Sequence, residues 1–221
     1  MLIEFIDIIL HIDQYLGTII QTYNTLAYVF ISGIIFLETG LVVTPFLPGD
    51  SLLFASGSFA AIGSLNLVVL LTVVTLAAIL GDSANYALGK YLGPKVFKQE
   101  KGLFFNKEYL LRTQAFYEKH GKKTIILARF IPIIRTFAPF IAGIGKMKYT
   151  EFLKYNILGA LAWVGLFTIG GYYFGRLSIV QENFSLFIIG IIILSFIPLI
   201  IEILKRKKQP EEKKYFIPSP K

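Results

Sequence analysis

The first 89 residues of the chain contain neither lysine nor arginine, and nine of its 22 basic residues then fall between Lys90 and Lys123. Seven more crowd the stretch from Lys205 to Lys221. Long apolar runs bounded by basic clusters mark loops kept on the cytoplasmic side of a bilayer. A nucleic-acid-binding surface would instead interleave its basic residues with polar and aromatic readers. Composition agrees with a membrane protein: 55% of residues are hydrophobic and 16% charged, where a soluble domain carries about a quarter charged. There is no cysteine, which excludes disulfides and thiolate sites, and His11 and His120 stand too far apart to suggest a metal cluster. No cofactor is expected. The expected fold class is an all-α integral membrane protein.

The apolar runs differ in kind. Residues 1–22 place Glu4, Asp7, His11 and Gln14 at helical intervals among Ile, Leu and Phe. They predict an amphipathic helix, lying on the membrane or packed on the bundle. A cleaved leader is not expected there, because no basic start precedes the apolar residues. Spans are predicted near 23–37, 66–89, 154–174 and 184–204. The runs 40–63 and 124–146 are equally apolar but interrupted. Pro45, Pro48 and Gly49 break the first, and Pro132 and Pro139 the second. Residues 205–221 are polar and predicted to be a disordered cytoplasmic tail.

Counting crossings gives these broken runs a role. Lys122 and Lys123 precede 124–146, and Lys146, Lys148 and Lys154 follow it. Both its ends belong to one side, so the segment is predicted to enter the membrane and return. The same reasoning makes 40–63 a hairpin from the opposite side, with both termini cytoplasmic. An internal repeat points the same way. At an offset of 86 residues Gly57 matches Gly143, Tyr86 matches Tyr172, Gly89 matches Gly175 and Lys90 matches Arg176. The expected architecture is an inverted repeat with two opposed re-entrant helical hairpins plus about four transmembrane helices. Its core unit is 23–178, with halves 23–90 and 124–178 around a cytoplasmic loop at 91–123. A C-terminal transmembrane helix follows at 183–204. Inverted repeats of this kind are a feature of secondary transporters, whose sites lie where broken segments meet.

Four charges fall in or beside the broken segments: Glu38, Asp50, Arg129 and Arg135. Each costs roughly 2.5–3.5 kcal/mol at the centre of a lipid-facing helix, on the order of 10 kcal/mol together. They must therefore face one another, water or a polar ligand. The acids lie in the first half and the arginines in the second, so hairpin tips that meet would bring the sets together. Arg129 and Arg135 are six apart, about 240° around an ideal helix, and converge only if the chain breaks between them. Two arginines in a partly dry site suit a phosphate, and either carboxyl could carry a coupling proton. The alternative is an ion-pair network that only joins the hairpins. Asp82 and Asn85 read as helix-capping or water-binding residues. Gly81, Gly89, Gly170, Gly171 and Gly175 read as close-packing positions. Trp163, Tyr172 and Tyr173 read as packing residues or interfacial anchors.

Glu38, Pro48-Gly49-Asp50, Gly81-Asp82 with Tyr86 and Gly89, and Arg129-Phe-Ile-Pro-Ile-Ile-Arg135 followed by Ala142-Gly143 resemble the DedA family. This belongs to the wider group of VTT-domain or SNARE-associated-Golgi-type membrane proteins. The resemblance covers about residues 30–180. It implies a bacterial cytoplasmic-membrane protein with two opposed hairpins, moving undecaprenyl phosphate or phosphatidylethanolamine with proton coupling. It also implies that Glu38 and Asp50 are essential acids and Arg129 and Arg135 essential arginines. The expected partners are phosphate-bearing lipids and protons rather than nucleic acid, with room for a homo-oligomer. A proton-coupled antiporter for small cations or drugs is the competing expectation. An enzyme is not expected, since no histidine lies near enough to activate Ser51 or Thr136.

Overall fold

The computed structural model describes residues 25–41, 49–96, 117–118, 120–183, 186–187 and 190–191. Seven α-helices are present among them: α1 (Thr25–Gly40), α2 (Gly49–Ala61), α3 (Leu67–Val96), α4 (Thr124–Ala128), α5 (Pro132–Ile144), α6 (Tyr149–Phe174) and α7 (Ser178–Glu182). A 3-10 turn, Gly121–Lys123, precedes α4. No strand occurs among the described residues. The N-terminal helix expected at 1–22, the breaks at Pro45 and Pro48, most of the basic loop, most of the last span and the tail lie outside them.

Helices α3 and α6 each contain 26 consecutive residues long and apolar enough to cross a membrane, Leu67–Leu92 and Tyr149–Phe174. Their outer faces are apolar and exposed, with Val68, Leu76 and Leu80 on α3 and Leu158, Leu161 and Leu166 on α6. That pattern suits hydrocarbon rather than water. Helix α3 runs past the span expected at 66–89, into the basic stretch. Its start is set by Asn66, whose Oδ1 accepts the N–H groups of Val68 and Val69 at 3.0 and 3.1 Å, an N-cap.

Each half places a short helix before a long one, and the short helices end alike. The N–H of Gly63 donates to the carbonyl of Ala60, and that of Ser64 to Phe59. The N–H of Lys146 donates to Gly143, and that of Met147 to Ala142. Both are left-handed helix endings. They place φ at +83° for Gly63 and +54° for Lys146. The second broken run begins and ends side by side, but the first does not. Gly40 lies against Gly81, midway along α3, while Gly63 lies near the start of α3. The pair that turns back in the first half is therefore α1 with α2, over 25–63 rather than the expected 40–63. The Tyr28 hydroxyl accepts the N–H of Asn66 at 2.7 Å. Lys122, ahead of the second run, pairs with Glu151 behind it at 2.6 Å.

The most extensive packing crosses between halves: α2 lies on α6, and α5 lies on α3. Glycines make both seams close. A Cβ on Gly57 would overlap the backbone of Thr168 and Tyr172, and one on Gly171 that of Phe54. In the other seam a Cβ on Gly143 would overlap Tyr86 and Lys90, and one on Gly89 would overlap Phe140. These contacts match Phe54 with Phe140 and Gly57 with Gly143, 86 residues apart, but Gly89 with Gly171, 82 apart. The repeat therefore does not run at one offset. Tyr86, Gly89 and Lys90 are not structural counterparts of Tyr172, Gly175 and Arg176. The cause is chain length: ten positions separate Gly57 from Leu67, but six separate Gly143 from Tyr149. Gly81 and Gly175 are also closely packed, whereas Gly170 has nothing within 4 Å of its added Cβ.

The second run breaks at Arg129-Phe130-Ile131, between α4 and α5. Ile131 is extended (φ −126°, ψ 107°) ahead of Pro132, which begins α5. This is the conformation proline imposes on its predecessor, and the first turn is where a helix tolerates proline. Pro139 was expected to be a second break, and the structure corrects this: it lies inside a continuous α5. Packing against α3 keeps the helix intact despite the lost N–H.

Candidate functional site

Glu38 sits in the last turn of α1 with no exposed surface. Gly49 opens α2 and donates its N–H to Glu38 Oε1 at 3.3 Å. An added Cβ on Gly49 would overlap the Glu38 carboxyl, so the residue serves close approach as well as chain reversal. Gly49→Ala is expected to destabilise the protein by about 1–3 kcal/mol through overpacking. Thermal unfolding in detergent measures this, and unchanged stability would contradict the packing.

Asp50, in the first turn of α2, is favoured by the positive end of the helix dipole. Arg135, in the first turn of α5, joins both acids: Nη1 donates to Asp50 Oδ1 at 3.0 Å, and Nη2 donates to Glu38 Oε1. The structure thus brings together three of the four charges singled out in the sequence.

Arg129 faces a different acid. It follows α4 directly, and its Nη2 donates to Asp82 Oδ2 on α3 and Asn156 Oδ1 on α6, both at 2.5 Å. Arg129 and Asp82 are each about 2% exposed. The reading of Asp82 as a capping or water-binding residue is therefore corrected. Asn156 is held by its own Nδ2, which donates to the Ile79 carbonyl at 3.0 Å. Gly159 gives the arginine room, since an added Cβ there would lie 3.1 Å from Arg129 Cδ and Nε. Asn85 is likewise no cap. Its Nδ2 donates to the carbonyls of Thr39 and Thr136, at 3.1 and 2.8 Å, joining α1 to α5 through α3.

Trp163 connects the two clusters. It is fully buried, and its indole Nε1 donates to Asp50 Oδ1 at 2.8 Å. The guanidinium carbon of Arg135 lies 5.2 Å from the ring centroid and that of Arg129 5.9 Å, within cation–π range. The expectation that Trp163 is only a packing residue or an anchor is corrected. Tyr172 lies beside Arg176 away from the site, and Tyr173 is exposed.

Among the described residues the cluster sets three carboxyls, Glu38, Asp50 and Asp82, against two guanidiniums. Several buried polar atoms in it make no hydrogen bond: Glu38 Oε2, Asp82 Oδ1, Arg129 Nε and Nη1, and Arg135 Nε. Buried polar atoms are normally satisfied, so this set calls for water or a ligand. No group of three or more His, Cys, Asp or Glu suited to a metal occurs among the described residues.

Asp82, Asn156 and Trp163 were missed as site residues. Asp82 carried a signal: it interrupts an apolar span and incurs the same cost as the other four charges. Asn156, Gly159 and Trp163 stand at i, i+3 and i+7, one stripe of α6, but that spacing alone does not separate a site from a core.

The comparisons with known proteins point to one family. The model of the VTT domain matches residues 47–173. Protein DedA of Escherichia coli strain K12 is 51% identical over 205 residues, covering 92% of this chain and 94% of that protein. An uncharacterized membrane protein of Mycobacterium leprae is 45% identical over 168 residues, 76% of this chain and 75% of its own. The inner membrane protein YqjA of E. coli K12 is 34% identical over 164 residues, 71% and 74% of the two chains. No solved structure matches the chain significantly.

Proposed function

The chain belongs to the DedA family of VTT-domain membrane proteins, and on that premise we propose that it moves a phosphate-bearing lipid across the cytoplasmic membrane. Undecaprenyl phosphate and phosphatidylethanolamine are the two candidates. One observation carries the reading: buried guanidinium N–H groups of Arg129 and Arg135 without a partner, inside an otherwise apolar bundle. Arg129 and Arg135 hold the phosphate through charge-assisted hydrogen bonds. Glu38 and Asp50 hold Arg135 when no head group is present, and they are the groups proposed to carry a coupling proton.

The stretches 25–63 and 124–146 act as opposed re-entrant hairpins whose rearrangement exposes the site to each side in turn. The side-by-side ends of 124–146 support that reading for the second run. The contacts of Glu38 with Gly49 and of Tyr28 with Asn66 support it in the first half for α1 and α2 together. The basic stretches at 90–123 and 205–221 support a cytoplasmic loop and a cytoplasmic C-terminal end in a multi-pass chain. The name of the relative YqjA supports the inner membrane. The protein acts as a transporter and not as an enzyme.

Proteoliposomes holding the purified full chain test this. Labelled polyprenyl phosphate or phosphatidylethanolamine is expected to change leaflet faster than in empty liposomes, and faster again with a pH gradient. No acceleration for either lipid, with or without the gradient, would remove the reading. The excess of one carboxyl over the guanidiniums favours a second reading, proton-coupled antiport of a small cation. In that case Arg129→Lys keeps full activity, whereas phosphate binding through guanidinium geometry predicts its loss.

A further inference from the structure

We infer that Asp82 is an internal substitute for the substrate's anion: in this structure its carboxylate occupies the place on Arg129 that an incoming phosphate takes. The inference rests on the phosphate reading above and names the residue that the head group displaces.

The two arginines are held differently. Arg135 is held by carboxylates from two helices, Glu38 on α1 and Asp50 on α2. Asp50 is in turn fixed by the Trp163 indole, so an entering anion meets two negative charges there. Arg129 is held by a single carboxylate and one neutral amide. Both hydrogens of its Nη2 are used by those two partners. Its Nε and Nη1, three of the five guanidinium N–H directions, are not.

The Asp82 contact is also incomplete from the other side. Only Oδ2 reaches Arg129, while Oδ1 is buried without a partner. A carboxylate–guanidinium pair built for permanence is commonly two-pronged. This one leaves two guanidinium nitrogens and one carboxylate oxygen unsatisfied at once, where the Arg135–Glu38 pair leaves one of each. A phosphate, with more oxygens than a carboxylate and at least an equal charge, answers donors that Asp82 leaves open.

Asn156 makes the exchange tolerable for Arg129. Its amide is anchored to the Ile79 carbonyl, and it accepts from Arg129 whether or not Asp82 does. The cation thus retains a partner, and the Trp163 ring beside it, while the carboxylate is replaced. The ligand class is a phosphate mono- or diester, whether on a lipid or free in water.

Trp163 is the only tryptophan in the chain, so its fluorescence reports on this site alone. Purified full-length protein in detergent is titrated with short-chain phosphatidic acid, with inorganic phosphate, and with a chloride salt of equal ionic strength as control. Asp82→Asn removes the competitor. It is expected to bind the phosphate probe about tenfold more tightly than the wild type, because affinity scales with the fraction of sites already open. The double variant Asp82→Asn with Arg129→Gln is expected to show no saturable signal. Saturation by phosphatidic acid but not inorganic phosphate assigns the lipid as the source, and equal saturation by both assigns the phosphate group itself.

If Asp82→Asn does not fold alone because Arg129 is left without a counterion, the phosphate probe is expected to restore its thermal stability, and failure to do so overturns the inference. Wild type that binds while Asp82→Asn binds no tighter overturns the exchange and leaves the transport reading standing. Absence of binding by both proteins removes the phosphate reading and the exchange with it.

Discussion

Replacing Arg135 by glutamine is expected to abolish lipid movement and to destabilise the fold by about 3–5 kcal/mol, the usual cost of breaking a buried ion pair by removing one partner. That is a large share of a typical domain's stability of roughly 5–15 kcal/mol. The reason is local. Glu38 and Asp50 both lean on this guanidinium, and without it two carboxyls from neighbouring helices face each other with no cation between them. Amount of protein in the membrane fraction and thermal unfolding in detergent give the stability. Adding Asp50→Asn to Arg135→Gln removes one charge of each sign, and is expected to recover much of the folding and none of the transport. Arg135→Lys keeps the charge but offers a point rather than a fork, so it is expected to fold better than Arg135→Gln and still to fail in transport. An Arg135→Gln protein as stable as the wild type would contradict the role given to these pairs.

Trp163→Ala is expected to have an effect of the same size. Truncating a fully buried tryptophan costs about 3–5 kcal/mol in lost packing and residual cavity, and Trp163 has no exposed surface. Trp163→Phe separates packing from chemistry. It keeps an aromatic ring at that position but removes the N–H that donates to Asp50, a loss of roughly 1.5–3 kcal/mol for a hydrogen bond to a charged group. The expected outcome is a folded Phe variant with impaired transport and an Ala variant that scarcely accumulates. A Phe variant with wild-type transport would show that the indole N–H does not matter to the cycle.

Much of this site was legible in the chain because membrane interiors penalise charge. Glu38, Asp50 and Arg135 could be grouped on cost alone, and they meet. The Arg129 partners could not be read in the same way. Asp82 and Asn156 lie on separate long helices, and periodicity tells which face a residue occupies, not which helix faces it. Pro139 illustrates a related limit: whether a proline breaks a helix depends on the neighbours that cover the freed carbonyl, which local sequence does not contain. The repeat was legible in its glycines on α2 and α5. Its offset changed along the chain because the connection to the long helix is shorter in the second half, and an ungapped match cannot follow that change.

The two glycine seams make the halves interdependent. Each short helix is covered by the long helix of the opposite half, so a polypeptide comprising one half alone would leave a backbone-deep groove on its long helix unfilled. Such a half could fill that groove only with a short helix from a second copy. In one chain the two halves are free to differ, and here the first carries the acids Glu38, Asp50 and Asp82 and the second the arginines Arg129 and Arg135.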